Sequence, residues 1–423
     1  MEVKKGYKQT EVGVIPKDWE VKPLGKCLIG NPNYGINAAA IPYTESLPVY
    51  IRITDITEDG KFSKESITSV INTSDSFFLQ EGDLVFARTG ASVGKTYLYN
   101  TGDGKLVFAG FLIRVKANPK LLLPEYLKYH TQRSYYWNWV RIMSMRSGQP
   151  GINGNQFKQF PLPVPSTLRE QSAIATVLSE TDSLITNLEK LITKKEAVKK
   201  GTMQALLTGK RRLPGFNSKW QNKKIKKLFK FLSTANNSRS ELTDEGEIGY
   251  IHYGDIHTRW SEFLDVSTES IPFIKKFKIK DVPFLENGDL LIADASEDYE
   301  GLCACIELKN VNHREIVGGL HTLLLRGNKD EIADGFKGYL PHLKGFKEAV
   351  IRAATGISVY GISKKNLGEI EIIIPDINEQ SSIAAVIADM TTEIKQLEEK
   401  LQKYKVIKQG MMQNLLTGKI RLV

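Results

Sequence analysis

Thr89 to Thr96 (TGASVGKT) carries the glycines, lysine and hydroxyl of a phosphate-cradling loop, but its spacing is wrong. Such a loop needs about four residues between its glycines so that successive amides wrap the phosphates. Only Ala91, Ser92 and Val93 separate Gly90 from Gly94, and nothing comparable follows Ala293 in the second half of the chain. Cys303 and Cys305 lack the two-residue gap of zinc or redox pairs, and no second pair completes a ligand set. His252 and His257 fit strand or loop positions better than a metal site. Asp376 and Glu379 follow Pro375, yet Gln380 and Ser381 stand where a metal-dependent nuclease needs a lysine. No nucleophile–base pair, carboxylate dyad or metal cluster emerges, so the active chemistry is expected elsewhere.

Asn31-Pro32-Asn33-Tyr34 resembles the Asn/Asp-Pro-Pro-Tyr/Phe string with which amino-methyltransferases hold a target amine. Asn33 replaces the second proline, however, and no strand–glycine loop–helix unit for S-adenosylmethionine accompanies it, so a turn is expected. What the chain does offer is charge. Its net +10 is concentrated: residues 190–230 hold fourteen Lys/Arg and one Glu, which leaves the remainder slightly acidic. Lys194, Lys195, Lys199, Lys200, Lys210, Arg211, Arg212, Lys219, Lys223, Lys224, Lys226, Lys227 and Lys230 belong to this run. A like-charged run favours a polyanion, because each cation near a phosphate releases counterions; the other reading is a solvated helix face leading into a basic linker. With 41% hydrophobic and 25% charged residues, the 423-residue chain reads as folded, with two or three domains. Three cysteines make no disulfide framework and fit a cytoplasmic setting. No apolar run approaches the ~18 residues of a membrane span, and the N-terminus carries no secretory signal.

The elements that would position these residues occur twice. Residues 167–210 and 376–419 align without a gap, and 19 of 44 positions are identical. Glu170-Gln171-Ser172 matches Glu379-Gln380-Ser381, and the five residues ending at Lys210 (LLTGK) match those ending at Lys419. Thr167-x-x-Glu170 and Asp376-x-x-Glu379 have capping-box spacing, and Gly209 and Gly418 stand where a left-handed residue closes a helix. Leu178, Ile185, Leu188 and Ile192, and Ile387, Met390, Ile394, Leu397 and Leu401, recur at coiled-coil spacing. A long helix with so narrow a stripe needs a partner, and its own repeat is the nearest. Gly201 and Gly410 are candidate bends.

Upstream, the repeat weakens. Ile51 and Asp55-Ile56 match Ile251 and Asp255-Ile256, and Gly82-Asp83-Leu84 matches Gly288-Asp289-Leu290. Strands are expected over 47–56, 83–88, 105–115, 290–293 and 320–326, with helices over 126–145 and 335–354. The fold class is therefore α+β: two mixed α/β globules separated by a pair of long antiparallel coiled-coil helices, a pseudo-two-fold internal repeat. Such a chain could read two different duplex half-sites at a fixed separation, or serve as a coiled-coil adaptor with two heads.

The chain resembles the specificity subunits of type I restriction-modification systems. The strings that carry the resemblance are YKQTEVGVIPKDWE (7–20), GDLVFARTGASVGK (82–95), SGQPGIN (147–153), LREQ (168–171), INEQ (377–380) and both LLTGK helix ends. It implies target-recognition domains over 1–165 and 210–374 and conserved spacer helices over 166–209 and 375–423. Each domain would read one half of a bipartite, asymmetric double-stranded DNA target while the helices set the gap. The subunit itself would be no enzyme and hold no cofactor. Two methyltransferase subunits would supply S-adenosylmethionine chemistry on adenine, and restriction subunits would add ATP- and Mg-dependent translocation and cleavage. The resemblance implies no membrane partner.

From the family's loop positions, Arg88, Thr89, Lys95, Arg146, Ser147, Gln149 and Asn153 are candidate DNA-reading residues of the first domain. Arg and Lys suit guanine edges or phosphates, and Gln or Asn suit adenine. In the second domain Asp294, Ser296, Glu297, Asp298 and Tyr299 replace that basic pattern; acidic groups can accept from cytosine but repel phosphate. Ser296 and Tyr299 are candidates there, with His252, His257, Arg259, His321, Ser358 and Tyr360. Phe111 and Leu320 are expected to fill the core.

Overall fold

The computed structural model describes residues 4–71, 73–145 and 148–422. The chain divides into two compact units, Met1–Glu189 with Glu399–Val423, and Lys190–Glu398.

In the first unit, β1 (Asn33–Tyr34), β2 (Val49–Ile51), β3 (Asp83–Ala87), β4 (Thr96–Leu98), β5 (Leu106–Phe108) and β6 (Leu112–Lys116) form two sheets. An antiparallel sheet runs in the order β1-β6-β3-β4, and β5 pairs parallel with β2 in the other. Val85, Phe86 and Ala87 of β3 are fully buried, so this strand is the core of the globule. Two expected elements are broken. The run 105–115 is β5 and β6, split by a tight turn closed by the Leu112 amide on the Ala109 carbonyl. The expected helix 126–145 is α1 (Pro124–His130) and α2 (Ser134–Met143), interrupted where the Thr131 hydroxyl donates to the Lys128 carbonyl. After them comes the long α3 (Leu168–Leu207).

The second unit repeats the plan with β7 (Phe229–Leu232), β8 (Ile248–Ile251), α4 (Tyr253–Thr258), β9 (Glu262–Asp265), β10 (Leu290–Ala293), β11 (Cys305–Lys309), β12 (Ile316–Gly318), β13 (Thr322–Gly327) and α5 (Phe346–Ala353); the long α6 (Ile377–Leu415) follows, and its residues from 399 on belong to the first unit. Its main sheet runs β7-β13-β10-β11-β9, and β12 pairs parallel with β8 as β5 does with β2. The registers Ala87↔Leu112 and Ala293↔Thr322 make β3/β6 and β10/β13 equivalent pairs. The expected helix 335–354 is a 3₁₀ turn, Lys337–His342, followed by α5; Pro341 cannot donate an amide, and Gly345 takes a left-handed φ of 79°.

Both long helices continue through Gly201 and Gly410, and Gly209 and Gly418 close them at φ 70° and 66°. Within the first unit Asp182 pairs with Lys408 (2.6 Å) and Glu189 with Lys405 (2.9 Å). Within the second, Lys195 pairs with Glu393 (2.6 Å). In the first unit numbers rise on one helix as they fall on the other, so the two segments run antiparallel there. Leu178, Ile185, Leu188, Ile192, Ile387 and Ile394 are buried, whereas Leu397 and Leu401 are half-buried.

The shared Glu-Gln of the repeats ties each helix to its globule. The Thr167 hydroxyl and the Asp376 carboxylate cap the amides of Glu170 and Glu379, but these glutamates do not reach back as a capping box would. Glu170 is buried and accepts from Trp19 Nε1 (3.2 Å) and the Arg421 guanidinium; Glu379 accepts from Trp220 Nε1 (3.1 Å) and Arg212 (2.5 and 2.6 Å). Gln171 braces Leu121 and Leu123 through their backbone, as Gln380 braces Glu331 and Ala333.

Candidate nucleic-acid interface

In both units the chain leaves the central strand by the same route. The Arg88 amide donates to the Phe111 carbonyl (3.0 Å), and the Ile152 amide donates to the Arg88 carbonyl (2.9 Å). In the second unit the Asp294 amide donates to the His321 carbonyl (3.1 Å), and the Ile362 amide donates to the Asp294 carbonyl (2.9 Å). Thr89 bridges Gly151 just as Ala295 pairs with Gly361. Helices that follow the loops are capped alike, by Asn153 Oδ1 on the Gln156 amide and by Ser363 Oγ on the Asn366 amide. The backbone scaffold is thus common and the side chains differ.

In the first unit the Arg88 guanidinium carbon lies 5.0 Å from the Tyr34 ring centre and 5.9 Å from that of Phe111. Phe111 is 55% exposed, so it does not fill the core as expected; it forms one wall beside Arg88. Asn31-Pro32-Asn33-Tyr34 likewise is no turn, because Asn33–Tyr34 is the edge strand β1, and Asn31 accepts from Lys158 Nζ (3.0 Å). Gln149 lies over Gly90, where a Cβ would come within 3.0 Å of its Nε2. Lys95 is drawn away by Glu58 (2.7 Å), and the Asn153 oxygen is spent on its cap. Arg146 and Ser147 lie outside the described residues. The TGASVGKT string has a packing role: at Gly94 (φ 88°) a Cβ would strike Val140 of α2 at 2.6 Å.

The second unit gathers a different set. His321 Nδ1 stands 3.1 Å from Asp294 Oδ1, and the His321 ring meets Tyr253 edge-on at 5.3 Å. Tyr299 stacks on Tyr360 at 3.9 Å. Ser296 is buried and its hydroxyl accepts from the Asp298 amide (3.3 Å), while Ser358 is exposed. An open cavity of about 620 Å³ lies among Tyr253, His257, Ser296, Asp298, His321 and Val359. Ile357 and Val359, passed over in the sequence, are 92% and 56% exposed. Three residues are occupied by the fold. His252 caps α4, its Nδ1 accepting from the Gly254 amide, and burial, then nearby Arg239, lower its pKa and favour the neutral ring. His257 bonds the Ala295 carbonyl (3.0 Å). Arg259 donates to the Ser270 carbonyl and lies over Trp260. Leu320 is half-buried.

The basic run is partly neutralised within its own unit. Lys195, Arg212, Lys223, Lys224 and Lys226 pair with Glu393, Glu379, Glu331 and Glu369. Lys194, Lys210, Arg211, Lys219, Lys227 and Lys230 have no ion-pair partner among the described residues. Among those residues no group of three or more His, Cys, Asp or Glu is placed to hold a metal, and no helix is long and apolar enough to cross a membrane.

Each unit also has a groove beside a long helix. In the first, Lys405, Lys408, Gln409, Met412 and Gln413 line about 620 Å³; in the second, Glu196, Lys199, Lys200, Met203 and Gln204 line an equal volume. These are the same five positions of the two helix repeats.

The sequence profile of the type I restriction modification DNA specificity domain matches residues 16–200. A putative type I restriction enzyme MjaX specificity subunit of Methanocaldococcus jannaschii is 27% identical, covering 98% of this chain and 97% of that protein. The EcoKI specificity subunit of Escherichia coli K12 is 24% identical over 88% of this chain and 82% of its own. The fold is similar to the HsdS subunit of Thermoanaerobacter tengcongensis (TM-score 0.53, 16% identity, 96% and 98% coverage). It is also similar to the type I S subunit of M. genitalium (TM-score 0.55, 16% identity, 98% of both chains).

Proposed function

We propose that the chain is a specificity subunit of a type I restriction-modification system, itself non-catalytic, and that it reads a bipartite, asymmetric DNA sequence. Residues 1–165 and 210–374 are the two target-recognition domains, and the helices over 166–209 and 375–423 set the gap between half-sites. The observation that carries this reading is the shared loop backbone with exchanged side chains: Arg88, Phe111 and Gln149 in one unit, Asp294, His321 and Val359 in the other. A common scaffold presents different groups, as reading two different half-sites requires. Arg88, Thr89, Gln149, Tyr299, His321, Ser358 and Tyr360 remain the contact candidates; Lys95, Asn153, His252, His257, Arg259 and the buried Ser296 support their loops.

The paired grooves fit two copies of one partner, which we assign to two cytoplasmic methyltransferase subunits that bring S-adenosylmethionine; restriction subunits would bring ATP and Mg. Sequencing of methylated bases in cells expressing this subunit with its methyltransferase tests the reading. A two-part motif with a fixed gap is expected. Affinity for duplex DNA should also fall steeply with salt through counterion release. A salt-insensitive complex without a methylation motif would favour the two-headed adaptor instead.

A further inference from the structure

Resting on the DNA-reading function above, we infer that one loop position carries the base-reading group of each domain with opposite chemistry: Arg88 donates to a guanine edge, and Asp294, held by His321, accepts from a cytosine amino group. The two positions are equivalent by backbone, since each residue donates its amide to the carbonyl of residue 111 or 321 and accepts from the amide of residue 152 or 362.

Arg88 is built to present donors. Its guanidinium is flanked by the Tyr34 and Phe111 rings and Nε is buried against them, so the terminal nitrogens, which make no hydrogen bond or ion pair among the described residues, are the donors left to present. A planar cation held by aromatic rings with its donors unspent suits the paired acceptors O6 and N7 of guanine. A bracing arginine in the same protein looks different: Arg326 places two nitrogens on Asp289, at 2.9 and 2.8 Å.

Asp294 inverts this. Asp55, Asp255 and Asp289 are buried and paired with arginines, as bracing carboxylates should be. The Asp294 side chain is 26% exposed, its partner His321 is 50% exposed, and Oδ2 has no hydrogen bond among the described residues. His321 adopts φ 56°, a left-handed conformation that a side-chain-bearing residue seldom takes, at the position where Phe111 stands in the first domain. Exposed Glu297 and Asp298 repel phosphate nearby, while Glu300 is paired with Lys347, and this favours a base edge as the ligand an exposed acceptor meets. Aspartate accepting from cytosine N4 is the matching contact.

The complete complex with its methyltransferase tests this by the methylated motif of each variant. Asp294→Asn is isosteric and keeps an oxygen for His321; it should lower methylation of the native site by roughly 10- to 100-fold and relax one C·G position of one half-site. His321→Gln should relax the same position more weakly. Arg88→Ala should relax one G·C position of the other half-site. A native motif methylated at native rate by Asp294→Asn would overturn the assignment while leaving the proposed function standing. Equal relaxation of both halves would overturn it too, as would a change confined to the half that Arg88 reads. A native complex without any two-part motif would overturn the function and this assignment together.

Discussion

Arg421 reaches Glu170, a buried carboxylate whose other partner is the Trp19 indole, and it also binds Asp18 at 2.9 Å. Arg421→Ala would leave Glu170 charged and underbonded, and breaking a buried ion pair from one side costs about 3 kcal/mol or more. Calorimetry should show a lower melting transition for the first unit alone; Arg212→Ala should do the same to the second unit through Glu379. An unchanged first transition would deny Glu170 its anchoring role. His130 sets a pH limit on the same unit. Burial, then Arg133, hold its pKa well below the ordinary 6.5, and its Nε2 has no partner. Above about pH 6.5 both folded and unfolded states are neutral there. Below it the unfolded chain binds a proton that the folded one refuses, so stability falls on acidification, by up to about 1.4 kcal/mol per pH unit for one group. His130→Phe keeps a ring against Tyr126 and should flatten this acid slope in pH-dependent melting; an unaltered slope would assign it to other groups.

The helices were the legible elements. A 3–4 apolar period, matched caps and a gapless repeat are local signals, and α3 and α6 follow them closely. The reading loops were less legible because their walls meet only in space. Tyr34, Arg88 and Phe111 lie on different strands or loops, so nothing near Phe111 in sequence marks it as the neighbour of a cation rather than a core ring. The match of Gly82-Asp83-Leu84 with Gly288-Asp289-Leu290 already sets Asp294 opposite Arg88, but the equivalence of Phe111 with His321 rests on strand register, which no local signal shows. The split of the expected helix 335–354 had visible causes in Pro341 and Gly345. If the helices set the gap, inserting seven helical residues after Glu189 and seven after Glu398 lengthens each by about 10 Å, or about three base pairs at ~3.4 Å each. The methylated motif should keep both half-sites and gain that spacing. Retention of the native gap would refute the spacer role.

At the scale of the whole chain, the first unit is discontinuous: Met412, Leu415 and Leu416 from the end of α6 pack with Trp19, Phe86, Ile174 and Leu178 in one core. The Tyr7 hydroxyl donates to the Gly418 carbonyl (3.0 Å), and Arg421 completes the Glu170 anchor. The second unit draws nothing from residues beyond 398, since Met203, Leu206 and Leu207 supply its equivalent helix end. A chain ending at Glu398 therefore loses three core side chains and a buried ion-pair partner from one unit alone. Removing a single buried Leu or Met side chain costs about 2–5 kcal/mol, comparable with the whole margin of a domain, so the first unit should unfold. Calorimetry of the truncated chain should show one transition where the full chain shows two. Limited proteolysis should digest residues 1–189 and spare a fragment near 190–398. Two surviving transitions would mean that the first unit folds without its distant segment, and that the closure seen at Glu170 orders the helix end but does not hold the core.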